Sequence, residues 1–153
     1  LLEKGCKDER LPVLLGDAYL SMAPAMTALF PGTRETLDDL TKKGYRLYIL
    51  TNGFLKTQES KLANSKISQY FRRIFSSDEL GINKPHREIF HWAVSSLNAR
   101  KKECLMIGDD QDVDILGARN YGIDAIWFNP RDEENRHAPL HTIRSLETLR
   151  SLL

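Results

Sequence analysis

The stretch CLMIGDDQDVDILGARN, Cys104 to Asn120, changes character twice within a few turns of chain. Leu105, Met106 and Ile107 form a short apolar run that stops at Gly108. Asp109, Asp110, Asp112 and Asp114 then crowd together, and Val113, Leu116, Gly117 and Ala118 follow in a helical pattern suited to lying against a sheet. A strand that ends in carboxylates and runs straight into a helix is how open α/β sheets build sites at their carboxyl edge. Asp109 or Asp110 alone would serve as a helix N-cap, and acidic residues in a first turn favour the helix dipole. The whole cluster, set after a buried-looking strand and a glycine, reads as a site. Its oxygens suit a hard divalent cation such as Mg²⁺, which takes one or two carboxylates and shares its other positions with water and phosphate.

The alternation of strand and helix extends in both directions. Tyr45–Leu50 (YRLYIL) reads as a buried strand closed by Thr51-Asn52-Gly53, residues 55–65 as a helix and Ile67–Phe71 as a short one. Arg72–Ser76 is a weaker strand, and His86–Leu97 an amphipathic helix burying Ile89, Phe90, Ala93, Val94 and Leu97. Past a helix from Asp112 to Tyr121, stopped by Gly122, Asp124–Phe128 is the next strand and 129–139 a polar loop. Residues 140–153 give a short strand and a last helix packed through Leu146, Leu149, Leu152 and Leu153. This order predicts an α/β fold with a parallel, doubly wound sheet. Upstream, Val13, Leu14, Ala18, Tyr19, Met22, Met26 and Leu29 recur at helical spacing, broken at Pro24, with Met22 and Met26 read as core filler. Phe30-Pro31-Gly32 marks the boundary: residues 1–30 are helical and 31–153 are α/β, with Thr33 as N-cap of a helix carrying Leu37 and Leu40.

Bulk properties narrow the function. A chain of 153 residues with 41% hydrophobic and 28% charged content is one soluble domain's worth. The net charge of +1 recruits neither nucleic acid nor an anionic membrane, and no apolar run approaches a membrane span. Cys6 and Cys104 lie far apart, without a disulfide framework, which suits a reducing cytoplasm.

In a parallel sheet all strands end on one edge, so Thr51-Asn52-Gly53, Lys84 and the Asp109/Asp110/Asp114 cluster converge there. A hydroxyl and backbone N–H groups hold phosphate oxygens, an ammonium neutralises accumulating charge, and carboxylates hold a metal. ILTNG at 49–53, GINKPHREIF at 81–90 and MIGDDQDVDILGARNYGIDAIWFN at 106–129 resemble the second, third and fourth motifs of the haloacid dehalogenase-like hydrolases. The likeness runs from Phe30 to Leu153 and is nearest to the phosphatase and pyrimidine 5′-nucleotidase branch. It implies a three-layer, Rossmann-like core with the tail of a helical cap at residues 12–29. It also implies Thr51 as the phosphate-binding hydroxyl, helped by Asn52 and the Gly53 amide, and Lys84 as the lysine that steadies nucleophile and phosphate. Asp109 would be a Mg²⁺ ligand and Asp114 a ligand or a support behind it, while Asp110 stands where the family has a small polar residue, with its role open.

One element of the family pattern has no counterpart. The first motif, an Asp-x-Asp pair closing the first strand, supplies the aspartyl nucleophile and the general acid/base. The Asp-x-Asp pairs here, Asp110-Gln111-Asp112 and Asp112-Val113-Asp114, both lie inside the fourth motif. The chain also starts at Leu1 rather than Met. The expectation is a fragment of a Mg²⁺-dependent phosphatase acting on a small phosphomonoester, a nucleotide or sugar phosphate, through an aspartyl-phosphate whose aspartate lies outside this chain. A lost N-terminal piece or a homodimer would complete the sheet, and the chain alone would be inactive. The rivals are a non-catalytic module that keeps the fold and a metal-free haloacid dehalogenase. A response-regulator receiver is disfavoured because its acidic pair belongs near the first strand.

Overall fold

The computed structural model describes residues 10–153. Its strands are parallel, as the alternation predicts, but they form two sheets instead of one. β1 (Leu47–Thr51) pairs with β2 (Phe71–Ser76), and Thr51 lies opposite Ser76. β3 (Leu105–Gly108) pairs with β4 (Asp124–Phe128), which pairs with β5 (His141–Ile143). The orders are therefore β1-β2 and β3-β4-β5. The physical reason for the division is space: β1 and β3 both border an apolar slot of about 470 Å³ and do not pair with each other.

The second sheet is covered on both faces, and β4 shows how. Ala125 and Trp127 point to one side, into a core of Ile89, Phe90, Ile115 and Tyr121. Ile126 and Phe128 point to the other, against Ile143 and Leu149. Alternate residues thus enter two helix-covered cores, which is why a buried parallel strand is apolar throughout. The first core is built by α5 (Arg87–Ser96) and α6 (Leu116–Tyr121), and the second by α7 (Leu149–Leu152). Leu146 and Leu153 pack partly against the second core, whereas Leu152 faces outward, contrary to expectation. Gly117 is where α6 lies closest to its neighbours: a Cβ there would stand 2.8 Å from the Phe90 ring and 3.0 Å from Pro85 Cα.

Several boundaries differ for local reasons. α2 spans Thr33–Lys42, but its N-cap is Gly32 in the left-handed region, and the Thr33 hydroxyl donates back to Phe30 O at 2.7 Å instead of capping forward. β1 starts at Leu47, two residues later than the apolar run suggests. Residues 68–70 form a single 3₁₀ turn before β2 begins at Phe71. α3 (Leu55–Asn64) and the short α4 (Ser77–Leu80) flank β2.

α1 (Leu11–Met22) ends in a 3₁₀ turn at Ala23–Ala25, as Pro24 predicts. Asn64 Nδ2 donates to Pro24 O at 2.7 Å and ties this turn to α3. Met22 and Met26 are 59% and 68% exposed, so they are not core filler; Val13, Leu14 and Tyr19 are exposed with them. Helical spacing of apolar residues identifies a face that packs, but among the described residues nothing covers this one. Cys6 lies outside the described residues. Among the described residues no helix is long and apolar enough to cross a membrane.

Candidate functional site

The site forms where β1 and β3 end, and Lys84 joins the two. After β1, the chain turns sharply enough for Gly53 N–H to donate to Thr51 Oγ1 at 3.0 Å. Ser76 Oγ, at the matching end of β2, lies 2.6 Å from Gly53 O. Leu55 N–H points at the Asp78 carboxylate, 3.3 Å from each oxygen, so the first turn of α3 rests on an anion. A hydrogen bond from Ser76 holds Asp78 below the usual carboxylate range.

The Asn52 side chain reads the main chain of Lys84 at both positions. Lys84 N–H donates to Asn52 Oδ1 at 2.7 Å, and Asn52 Nδ2 donates to Lys84 O at 3.0 Å. The side chain of Lys84 then crosses to the other sheet, where Nζ meets Asp114 Oδ1 at 2.6 Å. The two side chains are only 10% and 7% exposed, so this is a buried ion pair. Asp114 Oδ2 accepts from Asp110 N–H at 3.2 Å. Gly108 makes the approach possible: a Cβ there would sit 2.3–2.5 Å from Asp114 atoms.

Asp110 resolves into the helix cap. Its Oδ1 accepts from Asp112 N–H and Val113 N–H, each at 2.9 Å, and starts a turn of π-helical pitch at Gln111–Ile115 before α6. Asp109 differs from its neighbours. Trp127 Nε1 donates to its carbonyl at 3.0 Å and fixes its main chain. Its carboxylate is exposed and takes part in no hydrogen bond or ion pair among the described residues. Asp112 turns away: His137 Nε2 lies 2.6 Å from its Oδ1, and Arg136 donates to its Oδ2 at 3.0 Å. These contacts, His137 first, hold the Asp112 carboxyl below its ordinary value.

Asn52, Lys84 and Asp114 thus form one connected network, with Thr51 and Gly53 at one end and Asp109 at the other. Sequence reasoning missed the supports. Ser76 and Asp78 follow a weak strand signal, and Gln111 is polar yet buried, bonding Glu134 O and Arg136 N at 2.8 Å each. His137 gave no sign of a partner because Asp112 lies far away in sequence.

The donor set suits a hard cation in part. Among the described residues no group of three or more His, Cys, Asp or Glu side chains could hold a metal ion. Mg²⁺ needs no such cage, since one or two carboxylates plus water and phosphate suffice. The free Asp109 carboxylate fits that role, while both Asp114 oxygens already have partners.

Residues 3–128 match the haloacid dehalogenase-like hydrolase family. The chain is 36% identical over 132 residues to the glyceraldehyde 3-phosphate phosphatase of Methanothermobacter thermautotrophicus, covering 84% of this chain and 58% of that one. It is 37% identical over 122 residues to the pyrimidine 5′-nucleotidase PynA of Streptococcus pneumoniae, covering 77% and 51%. Among solved structures it is similar to the magnesium-bound HAD-hydrolase YfnB of Bacillus subtilis, with a TM-score of 0.89, 30% identity and coverage of 98% and 65%. The chain spans little more than half the length of these two phosphatase and nucleotidase relatives.

Proposed function

The chain belongs to the haloacid dehalogenase-like hydrolases, and from that premise we propose that it is the greater part of a Mg²⁺-dependent phosphatase for small phosphomonoesters such as a nucleotide or sugar phosphate. The observation that carries this reading is Lys84, held through its main chain by Asn52 and through its ammonium by Asp114, so that phosphate-binding loop and acidic loop share one cation.

In this reading the phosphoryl oxygens lie against the Thr51 hydroxyl and the N–H groups of the 51–53 turn, with the Lys84 ammonium facing the charge that builds during transfer. Mg²⁺, held by Asp109, would supply further positive charge at the same oxygens. Asp114 acts by keeping the buried Lys84 side chain aimed. The nucleophile is an aspartate outside this chain, whose carboxylate attacks phosphorus and expels the alcohol, and water then hydrolyses the acyl phosphate. In the same reading α1 and the 3₁₀ turn after it are the tail of a helical cap, which accounts for the uncovered apolar face of α1. The compartment proposed is the reducing cytoplasm, with Cys104 a free thiol.

The test is phosphatase assay with a generic aryl phosphate and a panel of nucleoside monophosphates and sugar phosphates. A chain extended to the length of the relatives should turn over phosphomonoesters with Mg²⁺ and stop on chelation, while this chain alone should do nothing. Turnover by this chain alone, or metal-independent release of halide from haloacids, would overturn the reading.

A further inference from the structure

Gln58 lies against the 51–53 turn with an unspent hydrogen-bonding group. It is the fourth residue of α3 (Leu55–Asn64), and its N–H donates to Phe54 O at 3.1 Å, which fixes its place one turn in from the helix start. Helical side chains lean back towards the N-terminus, so one as long as glutamine reaches over the residues that precede the helix. Gly53 receives it. A Cβ on Gly53 would stand 2.3 Å from Gln58 Nε2, 3.3 Å from its Cδ and 3.4 Å from Thr51 Oγ1. The Gln58 amide thus occupies the space that a side chain at residue 53 would fill, and it shares that corner with the Thr51 hydroxyl.

The main-chain donors around it are already committed. Gly53 N–H is bonded to Thr51 Oγ1, and Leu55 N–H to the Asp78 carboxylate. Asp78 takes up an N–H at the start of α3 that a bound anion would otherwise use. Asn52 spends both ends of its amide on the main chain of Lys84. The half-buried Gln58 side chain, by contrast, makes no hydrogen bond to any described residue. It carries two N–H donors. The Thr51 hydroxyl accepts from Gly53 N–H and keeps its own proton to give, so two free side-chain donors meet at one place.

We propose that Gln58 is a further phosphate-binding residue, whose Nε2 donates to a non-bridging phosphoryl oxygen beside the one held by the Thr51 hydroxyl. This deepens the phosphatase reading and rests on it. The reach of the side chain matters as much as its chemistry, because the amide meets the turn only from the far end of a glutamine.

The experiment records side-chain and main-chain amide NMR spectra of this chain, with Mg²⁺ present throughout, as inorganic phosphate is added. The expected result is a saturable shift of the Gln58 NH₂ pair with the same midpoint as the Gly53 N–H. Gln58→Met, which keeps the length and removes the donors, should weaken phosphate binding about tenfold or more, the size of one hydrogen bond to a charged group. Gln58→Asn, one methylene short, should do the same, and Gln58→Glu should weaken binding further by placing a carboxylate beside the phosphate. The urea midpoint of each variant should stay at that of the parent, which separates lost donation from lost folding. If a variant does not fold, the NH₂ signals of the parent decide the question. Shifts at Gly53 and Lys84 with the Gln58 pair unmoved, or Gln58→Met binding phosphate as tightly as the parent, would overturn the proposal and leave the phosphatase reading standing. No shift at Gly53, Lys84 or Gln58 would overturn both.

Discussion

Replacing Lys84 by Met isolates the contact on which the site depends. The Lys84–Asp114 pair is buried, with Nζ and Oδ1 2.6 Å apart. Truncating one partner leaves the other charge in a poorly solvated place, which costs about 3–5 kcal/mol for buried pairs. Asp114 keeps one further hydrogen bond, from Asp110 N–H, so the lower end applies, about 3 kcal/mol. For a domain of this size that lowers Tm by about 6–12 °C. Asp114→Asn should cost a similar amount, because it strands the ammonium. The double variant removes both charges, and its loss should fall short of the sum of the singles by about 2 kcal/mol. Thermal and urea unfolding of the four proteins measures this cycle. Strictly additive losses would refute the idea that the two side chains act as a unit across the sheets.

Other substitutions test neighbouring parts of the account. Gly108→Ala puts a Cβ 2.3–2.5 Å from Asp114 atoms, so it should lower stability by about 1–3 kcal/mol by urea unfolding and disturb the Lys84 contact with it. Glu103 is held at about 2, from an ordinary 4.5, chiefly by the hydrogen bonds from the Arg100 side chain. Because that value is depressed, the stability it contributes is complete above 4.5 and is lost as the pH falls from there towards 2. Carboxyl NMR should show the low value, and Arg100→Ala should raise it towards 4.5, with part of the depression kept by the main-chain N–H of residue 100, which also donates to Glu103. His137→Phe should raise the Asp112 carboxyl towards its ordinary value in the same titration, since the imidazole contact is the first cause of its depression. In a chain of the relatives' length, Thr51→Val and Lys84→Met should each reduce kcat by about 100-fold or more, the size seen when one preorganised group facing transition-state charge is removed.

Much of the fold was legible because both periodicities are strong. β4 is found at the residues its β-rich run marks, Asp124–Phe128, and α5 buries Ile89, Phe90, Ala93 and Val94 as their spacing requires. The convergence of Thr51, Asn52, Lys84 and Asp114 followed from parallel strands ending on one edge. What was not legible depends on contacts between distant residues. Nothing near Asp112 announces His137, and nothing near Gly53 announces Ser76. The Met22 and Met26 error has the opposite cause. Their spacing is that of a packing face, and pattern alone cannot tell whether a partner is there to receive it. Thr33 misled because a hydroxyl before a helix caps it only when the backbone turns the right way, and here Gly32 makes that turn.

The most direct test of the central claim is the amide NMR spectrum of this chain titrated with Mg²⁺ and inorganic phosphate together. The account predicts saturable shifts at Gly53, Lys84 and Asp109, reversed by chelation and lost in Lys84→Met. Unshifted signals at those residues, or shifts that survive Lys84→Met unchanged, would contradict it.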